Sequence, residues 1–297
     1  MTCLVRNSEK GAQVAKEYPK ARLVYGDLDS FDLIVEESSK ADIVCHFANC
    51  DHEGSAHAIV KGFGSKTTPG YFIHTSGTGI LTIRDVQANR YGEVDDKIYD
   101  DWENVGEVTS LPDAAWHRKV DKIVLAASKS SPNVKTAIVC PPTIFGPGRG
   151  PGNTFSDQWY LLAKAYIQLG HAFSIGKGDN VWTKVHVHDL SKMYLALVEE
   201  AGRHKRDNVI VRQPLINLPV THGGRATWND QGYYFTEAGE FVWSDMYAKI
   251  AAEVKRQGYI QDDALQTFTV EKGDEVIPFG GKKWYVHAWC FAWLLRC

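Results

Sequence analysis

The feature that most constrains this chain is a rhythm of short apolar runs, each ending in small or polar residues and each followed by a helix-like stretch. TCLVRN (2–7), LVYGDLD (23–29), DIVCHFAN (42–49), YFIHTSGTG (71–79), TAIVCPPTIFGPG (136–148) and KVHVHDL (184–190) come in that order. Strand and helix patterns that alternate in this way mark βαβ units and a mostly parallel sheet. In such an open sheet, ligands bind beyond the carboxyl ends of the strands, near the point where strand order reverses. The first run begins at Thr2 with no glycine-rich turn before it. It therefore reads as the second strand of a doubly wound sheet rather than the first.

Between the runs, 8–18 is polar and helical, 29–40 starts with the cap candidates Asp29 and Ser30, and 51–63 forms a further helix. In 112–128, Pro112 stands at a helix start and is followed by Trp116, Val120, Ile123, Val124 and Ala127. That spacing draws one buried face. A last helix spans 189–200, capped by Asp189. Two stretches break the rhythm. Residues 82–111 are rich in Asp, Glu and Asn and read as a surface insertion near the cleft. Residues 203–222 hold an apolar run with two prolines and read as an edge strand or a long loop.

With 297 residues, 44% of them hydrophobic, the chain has ample apolar mass for a core. A net charge of -3 and the lack of a basic stripe argue against a nucleic-acid partner. The six cysteines show no CxxC spacing, so reduced thiols and a cytoplasmic location are expected, without a zinc site or a disulfide framework. The start lacks the apolar core of a signal peptide, and no apolar run reaches the roughly 18 residues of a membrane span. The closing KWYVHAWCFAWLLRC is too short to cross a bilayer and is interrupted by His287.

HFAN, HTSGTG, the PPTIFGPG loop and VHVHDL leading into a helix resemble the extended short-chain dehydrogenase/reductase superfamily, in its NAD-dependent epimerase/dehydratase-like branch. GYYFTEAGEFVW (232–243) resembles a segment of its fungal and plant members. The resemblance implies an α/β, Rossmann-type doubly wound parallel sheet over 1–200 that binds NADP, with NAD as the alternative. It also implies a small C-terminal substrate domain over 201–297, to which 142–182 contributes. Three departures stand out. The family's first strand and its glycine-rich pyrophosphate turn are not in this sequence, and an alternative or misplaced gene start is the expected cause. The Tyr-x-x-x-Lys positions, aligned on the apolar face of the helix, hold Asp113 and His117. The one Tyr-x-x-x-Lys present, Tyr160 with Lys164, follows the PPTIFGPG loop instead of preceding it. Finally, 262–297 does not resemble the family's closing segment and reads as foreign to the fold, with Trp284, Trp289, Trp293 and Leu294 exposed.

On this resemblance Arg6, with Asn7 and Lys10 nearby, faces the 2′-phosphate of NADP, because an arginine accommodates it where an acidic residue would bond a 2′-hydroxyl. Asp27 and Leu28 border the adenine, and Phe47, Ala48 and Asn49 line the ribose side. Ser76 bonds the substrate oxygen with Thr75 beside it, while Pro141, Pro142 and Thr143 shape the nicotinamide pocket. His117, whose unperturbed pKa lies near neutrality, is the candidate replacement for the tyrosine as proton donor. His186 and His188 share a strand face with Asp189 next to them, but no third ligand with fixed geometry is visible, so no metal is expected. The function implied is that of an NADP-dependent oxidoreductase or epimerase/dehydratase-like protein acting on a carbonyl or hydroxyl carbon of a small metabolite, with a homodimer as the implied assembly. The alternatives are a non-catalytic dinucleotide-sensing regulator or protein-binding module, and an inactive truncated product.

Overall fold

The computed structural model describes residues 1–204, 226–277 and 294–296. In chain order, β1 (Thr2–Val5), α1 (Ser8–Glu17), β2 (Arg22–Tyr25), α2 (Phe31–Lys40), β3 (Ile43–His46), α3 (Glu53–Gly64) and β4 (Gly70–Thr75) alternate as the sequence pattern predicts. A 3-10 turn, α4 (Ile83–Ala88), β5 (Ile98–Asp100) and α5 (Val105–Thr109) then lead to α6 (Arg118–Ser130) and β6 (Val134–Cys140). The later elements are β7 (Thr143–Phe145), α7 (Gln158–Leu169), β8 (Ala172–Ile175), β9 (Val181–His186) and α8 (Val187–His204). They end with β10 (Tyr233–Phe235), β11 (Glu240–Val242), α9 (Trp243–Arg256), β12 (Leu265–Phe268), α10 (Val270–Val276) and β13 (Leu294–Arg296).

The central sheet has the order β10-β6-β4-β3, all parallel, with His46 opposite His74 and Ile138 opposite both His74 and Tyr233. Its middle strands are apolar along their length because both faces are covered. Phe72, Ile73, Ala137, Ile138 and Val139 are fully buried. β1 and β2 pair with each other in a separate two-stranded parallel sheet, and among the described residues no strand bridges β1 to β3. β7, β9 and β11 form a three-stranded sheet. One apolar core runs unbroken from α3 and α6 to α7 and α9.

α2 and α3 approach closely at Gly62. A Cβ there would sit 2.5 Å from the Val35 carbonyl oxygen and 2.7 Å from the Ser38 Cβ. Gly62→Ala is expected to wedge the two helices apart at a cost of about 1–3 kcal/mol, read as a lowered midpoint in thermal unfolding.

Several expectations need correction. The helix expected from Pro112 begins at Arg118 instead. Arg118 Nε and Nη2 donate to the carbonyls of Leu111 and Thr109, 2.9 and 2.5 Å away, and fold the preceding loop over the helix start. His117 then enters the helix from a left-handed conformation, φ 62°. The buried stripe Val120, Val124 and Ala127 is as expected. Residues 82–111 are not a bare surface insertion, since Ile83, Tyr99, Val105 and Val108 join the core. The acidic residues that disguise this are buried with partners. Arg90 bonds both Asp85 and Asp95 at 2.5 Å, and Asp101 accepts the Phe235 amide at 2.6 Å. Nor is 262–277 foreign to the fold, because β12 pairs in parallel with β8. The prolines of 203–222 and Trp284, Trp289 and Trp293 lie outside the described residues.

Candidate functional site

The carboxyl ends of β3, β4 and β6 converge on a polar cluster. His46 closes β3 and stacks on His74 of β4, with ring centroids 5.2 Å apart and Nδ1 atoms 3.0 Å apart. Ser76, the second residue of the strand-end Thr75-Ser76 pair, is buried and donates its hydroxyl to Asp121 Oδ2 at 3.1 Å. Tyr233 donates to the same oxygen at 3.0 Å. Asp121 is fully buried on α6, and its Oδ1 lies 3.9 Å from His74 Nε2. Burial raises Asp121 to about 6, against the nearby His117 and the Ser76 and Tyr233 hydroxyls, which lower it. Burial and the neighbouring His46 and His117 lower His74 to about 3, and burial and His52 lower His46 to about 4. Both rings are therefore neutral at pH 7.

His117 occupies the mouth of this cluster. Its left-handed backbone seats the ring so that Nδ1 meets Asp51 Oδ1 at 2.7 Å and Cys50 Sγ at 3.3 Å. Nε2 lies over the Gly77 and Gly79 backbone, where added Cβ atoms would come within 3.1 and 3.0 Å of it. Burial opposes a charge on this ring, but the Asp51 and Cys50 side chains on Nδ1 outweigh it and raise His117 to about 10. Cys50, Asp51 and His117 are also the described group in which three metal-ligating atoms lie within 4.8 Å of one another. Bonds of about 2.1 Å to a tetrahedral cation would hold such atoms roughly 3.4 Å apart. The 2.7 Å approach of Asp51 to His117 is thus a closed ion pair, tighter than a cation's coordination edge.

The other predicted residues are spread over several places. Arg6 is exposed beyond β1, while Asn7 caps α1 by accepting the Lys10 amide at 2.9 Å. Asp27 is exposed beyond β2 and accepts from Ser30 Oγ and the Asp29 amide, which opens α2; the Ser30 hydroxyl, helped by backbone amides and opposed by desolvation, holds its pKa below the ordinary carboxylate range. Leu28 is half-buried beside it. Phe47 is 60% exposed, with its ring edge-on to Tyr194 at 4.7 Å, and Ala48 and Asn49 are exposed next to it. Thr75 Oγ1 bonds the Tyr194 hydroxyl at 2.6 Å. Pro141, Pro142 and Thr143 are buried behind the strand end, and Thr143 bonds Gln158. Asp113 turns to Lys122 on the surface, 2.7 Å away. Tyr160 packs on Phe155. His186 and His188 touch ring to ring at 4.6 Å, but Asp189 pairs with Lys192 instead of joining them.

No family model matches the chain. A search of curated proteins finds the oxidase ucsJ of an Acremonium species, 32% identical over 292 residues that span 97% of this chain and 80% of that protein. The chain belongs to the family of that oxidase. Solved structures of epimerase and dehydratase enzymes share its fold. The dTDP-glucose 4,6-dehydratase of Streptomyces venezuelae superposes with a TM-score of 0.58 at 15% identity, over 92% of this chain and 76% of that one. The UDP-glucose 4-epimerase of Thermotoga maritima gives 0.54 at 10% identity, over 91% and 86%. The Rossmann-type fold of the chain is thereby shown, and among its described residues no helix is long and apolar enough to cross a membrane.

Sequence reasoning singled out Ser76 and His117 but missed Asp121, His74, Asp51 and Tyr233. Asp121 was detectable: a carboxylate directly after Val120 and before Ile123 and Val124 interrupts a buried stripe, and a buried charge needs a partner. Tyr233 was not, because it reaches the site only through a parallel pairing with a strand about a hundred residues earlier.

Proposed function

We propose that the chain is an NADP-dependent oxidoreductase or epimerase/dehydratase-like protein acting on a carbonyl or hydroxyl carbon of a small metabolite, with NAD as the alternative cofactor. The observation that carries this reading is the convergence of Ser76, bonded to Asp121, and His117, bonded to Asp51 and lying over Gly77, at the carboxyl ends of the parallel strands, where open sheets of this kind bind ligands. The residues present fit the two ends of a dinucleotide. The exposed Arg6 guanidinium and Phe47 ring offer a charge and an aromatic face at one end, and the Ser76–His117 corner closes the other. When bound, the nicotinamide exchanges a hydride with the substrate carbon.

The chain's own residues hold the oxygen. Because Ser76 spends its proton on Asp121, its lone pairs are left to accept from a substrate hydroxyl. His117, with Nδ1 bound to Asp51, carries the proton it can give on Nε2, toward Gly77 and Gly79. A second reading, a dinucleotide-binding regulator without turnover, is favoured by Asp113, which stands at the family's tyrosine position and faces Lys122 at the surface. The four described cysteines are free, in keeping with a reducing, cytoplasmic setting, and a homodimer through α3 and α6 is the assembly the resemblance implies.

Titration with NADPH, NADP and NAD, followed by thermal shift, tests the reading, since ligand binding to the folded state raises its midpoint. Saturable binding with NADPH preferred, and a preference lost in Arg6→Glu, is the expected result. No binding by any of the three overturns it. Binding with no turnover across a panel of carbonyl and hydroxyl metabolites selects the regulator.

A further inference from the structure

The proposed chemistry lacks a proton acceptor. His117 is protonated up to about pH 10, so it can give a proton to a nascent hydroxyl but cannot take one from a hydroxyl being oxidised. We propose that Asp121 is the group that turns Ser76 into a base: it holds the Ser76 hydroxyl proton, points the Oγ lone pairs toward the cleft, and receives that proton when a substrate hydroxyl gives its own to Oγ. The inference rests on the functional reading above for its substrate, but not for its geometry.

The geometry is that of an acceptor with every other exit closed. Asp121 Oδ2 takes two hydroxyl donors, Ser76 at 3.1 Å and Tyr233 at 3.0 Å. Tyr233 is itself buried, accepts from Cys140 Sγ at 3.0 Å and has its proton committed to Asp121. Ser76 is thus the hydroxyl that joins the carboxylate to the cleft. On the other side, Asp121 Oδ1 and His74 Nε2 are both buried, and neither has a hydrogen-bond partner. They face each other at 3.9 Å, and a movement of about 1 Å by the carboxyl group closes the gap to bonding distance. The charged and titratable groups around Asp121 are His74 on β4, Cys140 on β6, Tyr233 on β10, and His117 and Arg118 on its own helix.

Behind His74 stands a ladder that sets which proton it shows to Asp121. His46 Nε2 lies 3.2 Å from Ser55 Oγ, and that hydroxyl has a second acceptor, the His52 carbonyl, at 3.0 Å. When Ser55 donates to His46, His46 must donate through Nδ1 to His74 Nδ1, and His74 then presents Nε2–H to an ionised Asp121. With Asp121 ionised and buried, that arrangement alone satisfies its second oxygen. His74 and His46 are therefore positioning residues, locked as neutral rings by burial.

The transfer balances. The substrate O–H bond breaks and its proton binds Ser76 Oγ. The Ser76 O–H bond breaks and its proton binds Asp121 Oδ2. The electron pair left on the substrate oxygen would form the carbonyl, with a bound oxidised dinucleotide as the hydride acceptor. At pH 7, above the value near 6 given by burial, Asp121 is ready to accept.

The test uses the full chain labelled with carbon-13 at aspartate carboxyls and nitrogen-15 in histidine rings, without any ligand. Expected are a buried carboxyl titrating near pH 6, absent in Asp121→Asn and distinct from that of Asp101 near pH 7, and His74 neutral with its proton on Nε2 at pH 8. In Ser76→Ala the carboxylate loses a donor, and its midpoint should rise by about one unit, a tenfold change in proton affinity. Either an Asp121 that does not titrate between pH 4 and 8, or a midpoint that stays put in Ser76→Ala, overturns the inference. So does a His74 with Nε2 bare at pH 8. Asp121→Asn keeps the acceptor for Ser76 and Tyr233, and its amide donor is taken by His74 Nε2 once Ser55 gives its proton to the His52 carbonyl and the ladder reverses, so it preserves the fold; Ser76→Ala provides the independent second readout. Because no dinucleotide is present, failure of cofactor binding overturns the functional reading and leaves this result standing.

Discussion

Between pH 6 and pH 4, Asp121→Asn is expected to make the folded state lose about 1.4 kcal/mol of stability per pH unit, where the wild-type chain stays nearly flat because four buried groups offset one another. His46 and His74 have folded pKa values of about 4 and about 3, below the ordinary 6.5. Their contribution is complete above pH 6.5 and is lost as pH falls toward those values, because the unfolded rings bind protons that the folded rings refuse. Asp121 works the other way. Its folded pKa of about 6 lies above the ordinary 3.8, so its contribution is present in acid and is lost as pH rises from 3.8 through 6. Asp101, pushed up to about 7 by burial, acts like Asp121. In the window from 4 to 6 the unfolded chain therefore binds two protons on the rings and the folded chain two on the carboxyls, and the wild-type slope is near zero. Asp121→Asn removes one folded-state proton, which leaves a slope of about 1.4 kcal/mol per unit that weakens the fold toward acid and, above pH 6, raises stability by removing a buried charge. His74→Gln removes an unfolded-state proton and should give a slope of the same size and opposite sign. Urea unfolding across that range checks both, and a slope that the two variants leave unchanged would show that these groups do not titrate as a buried set.

The second large effect is mechanical. Trp243→Ala is expected to cost about 3–5 kcal/mol. The indole is fully buried at the first turn of α9, with Trp182 edge-on at 6.1 Å, Phe241 at 5.3 Å and Tyr247 at 5.4 Å. Its own amide bonds the Asn180 carbonyl, and the next amide bonds that of Gly178, which ties the loop before β9 to the helix. Removing the ring empties a site whose walls belong to β9, β11 and α9, so no single element can collapse into the space. Trp243→Phe retains most of the contacts and should lose less than half as much. Urea unfolding at pH 7 measures both, and equal losses in the two variants would show that the aromatic cluster is not what holds β9 in place.

The parallel strands were legible because strands covered on both faces must be apolar throughout, as at Phe72–Ile73 and Ala137–Val139. The strand-end residues were legible for the same reason, since the polar Thr75 and Ser76 interrupt such a run. Proline at 112 misled because helix entry at His117 is decided by Arg118 reaching back to the Thr109 and Leu111 carbonyls, a contact that local propensity does not contain. The acidic stretch before α6 misled because composition counts charges without their partners, and Arg90 neutralises Asp85 and Asp95 inside the fold. The His46–His74–Asp121 cluster depends on register: His46 and His74 sit opposite each other only once β3 pairs with β4 in the observed alignment.

The separation of the β1–β2 ribbon from the main sheet has a consequence for recognition. Two-stranded sheets hold together weakly by themselves, so Arg6 and Asp27 ride on an element whose seating is an equilibrium of its own. A ligand that grips Arg6 at one end and the Ser76 corner at the other binds only the seated fraction, and its apparent affinity is reduced by that fraction. Tightening the contact between α2 and α3, which anchors the chain just after β2, then improves such a ligand's affinity without altering a single atom that touches it.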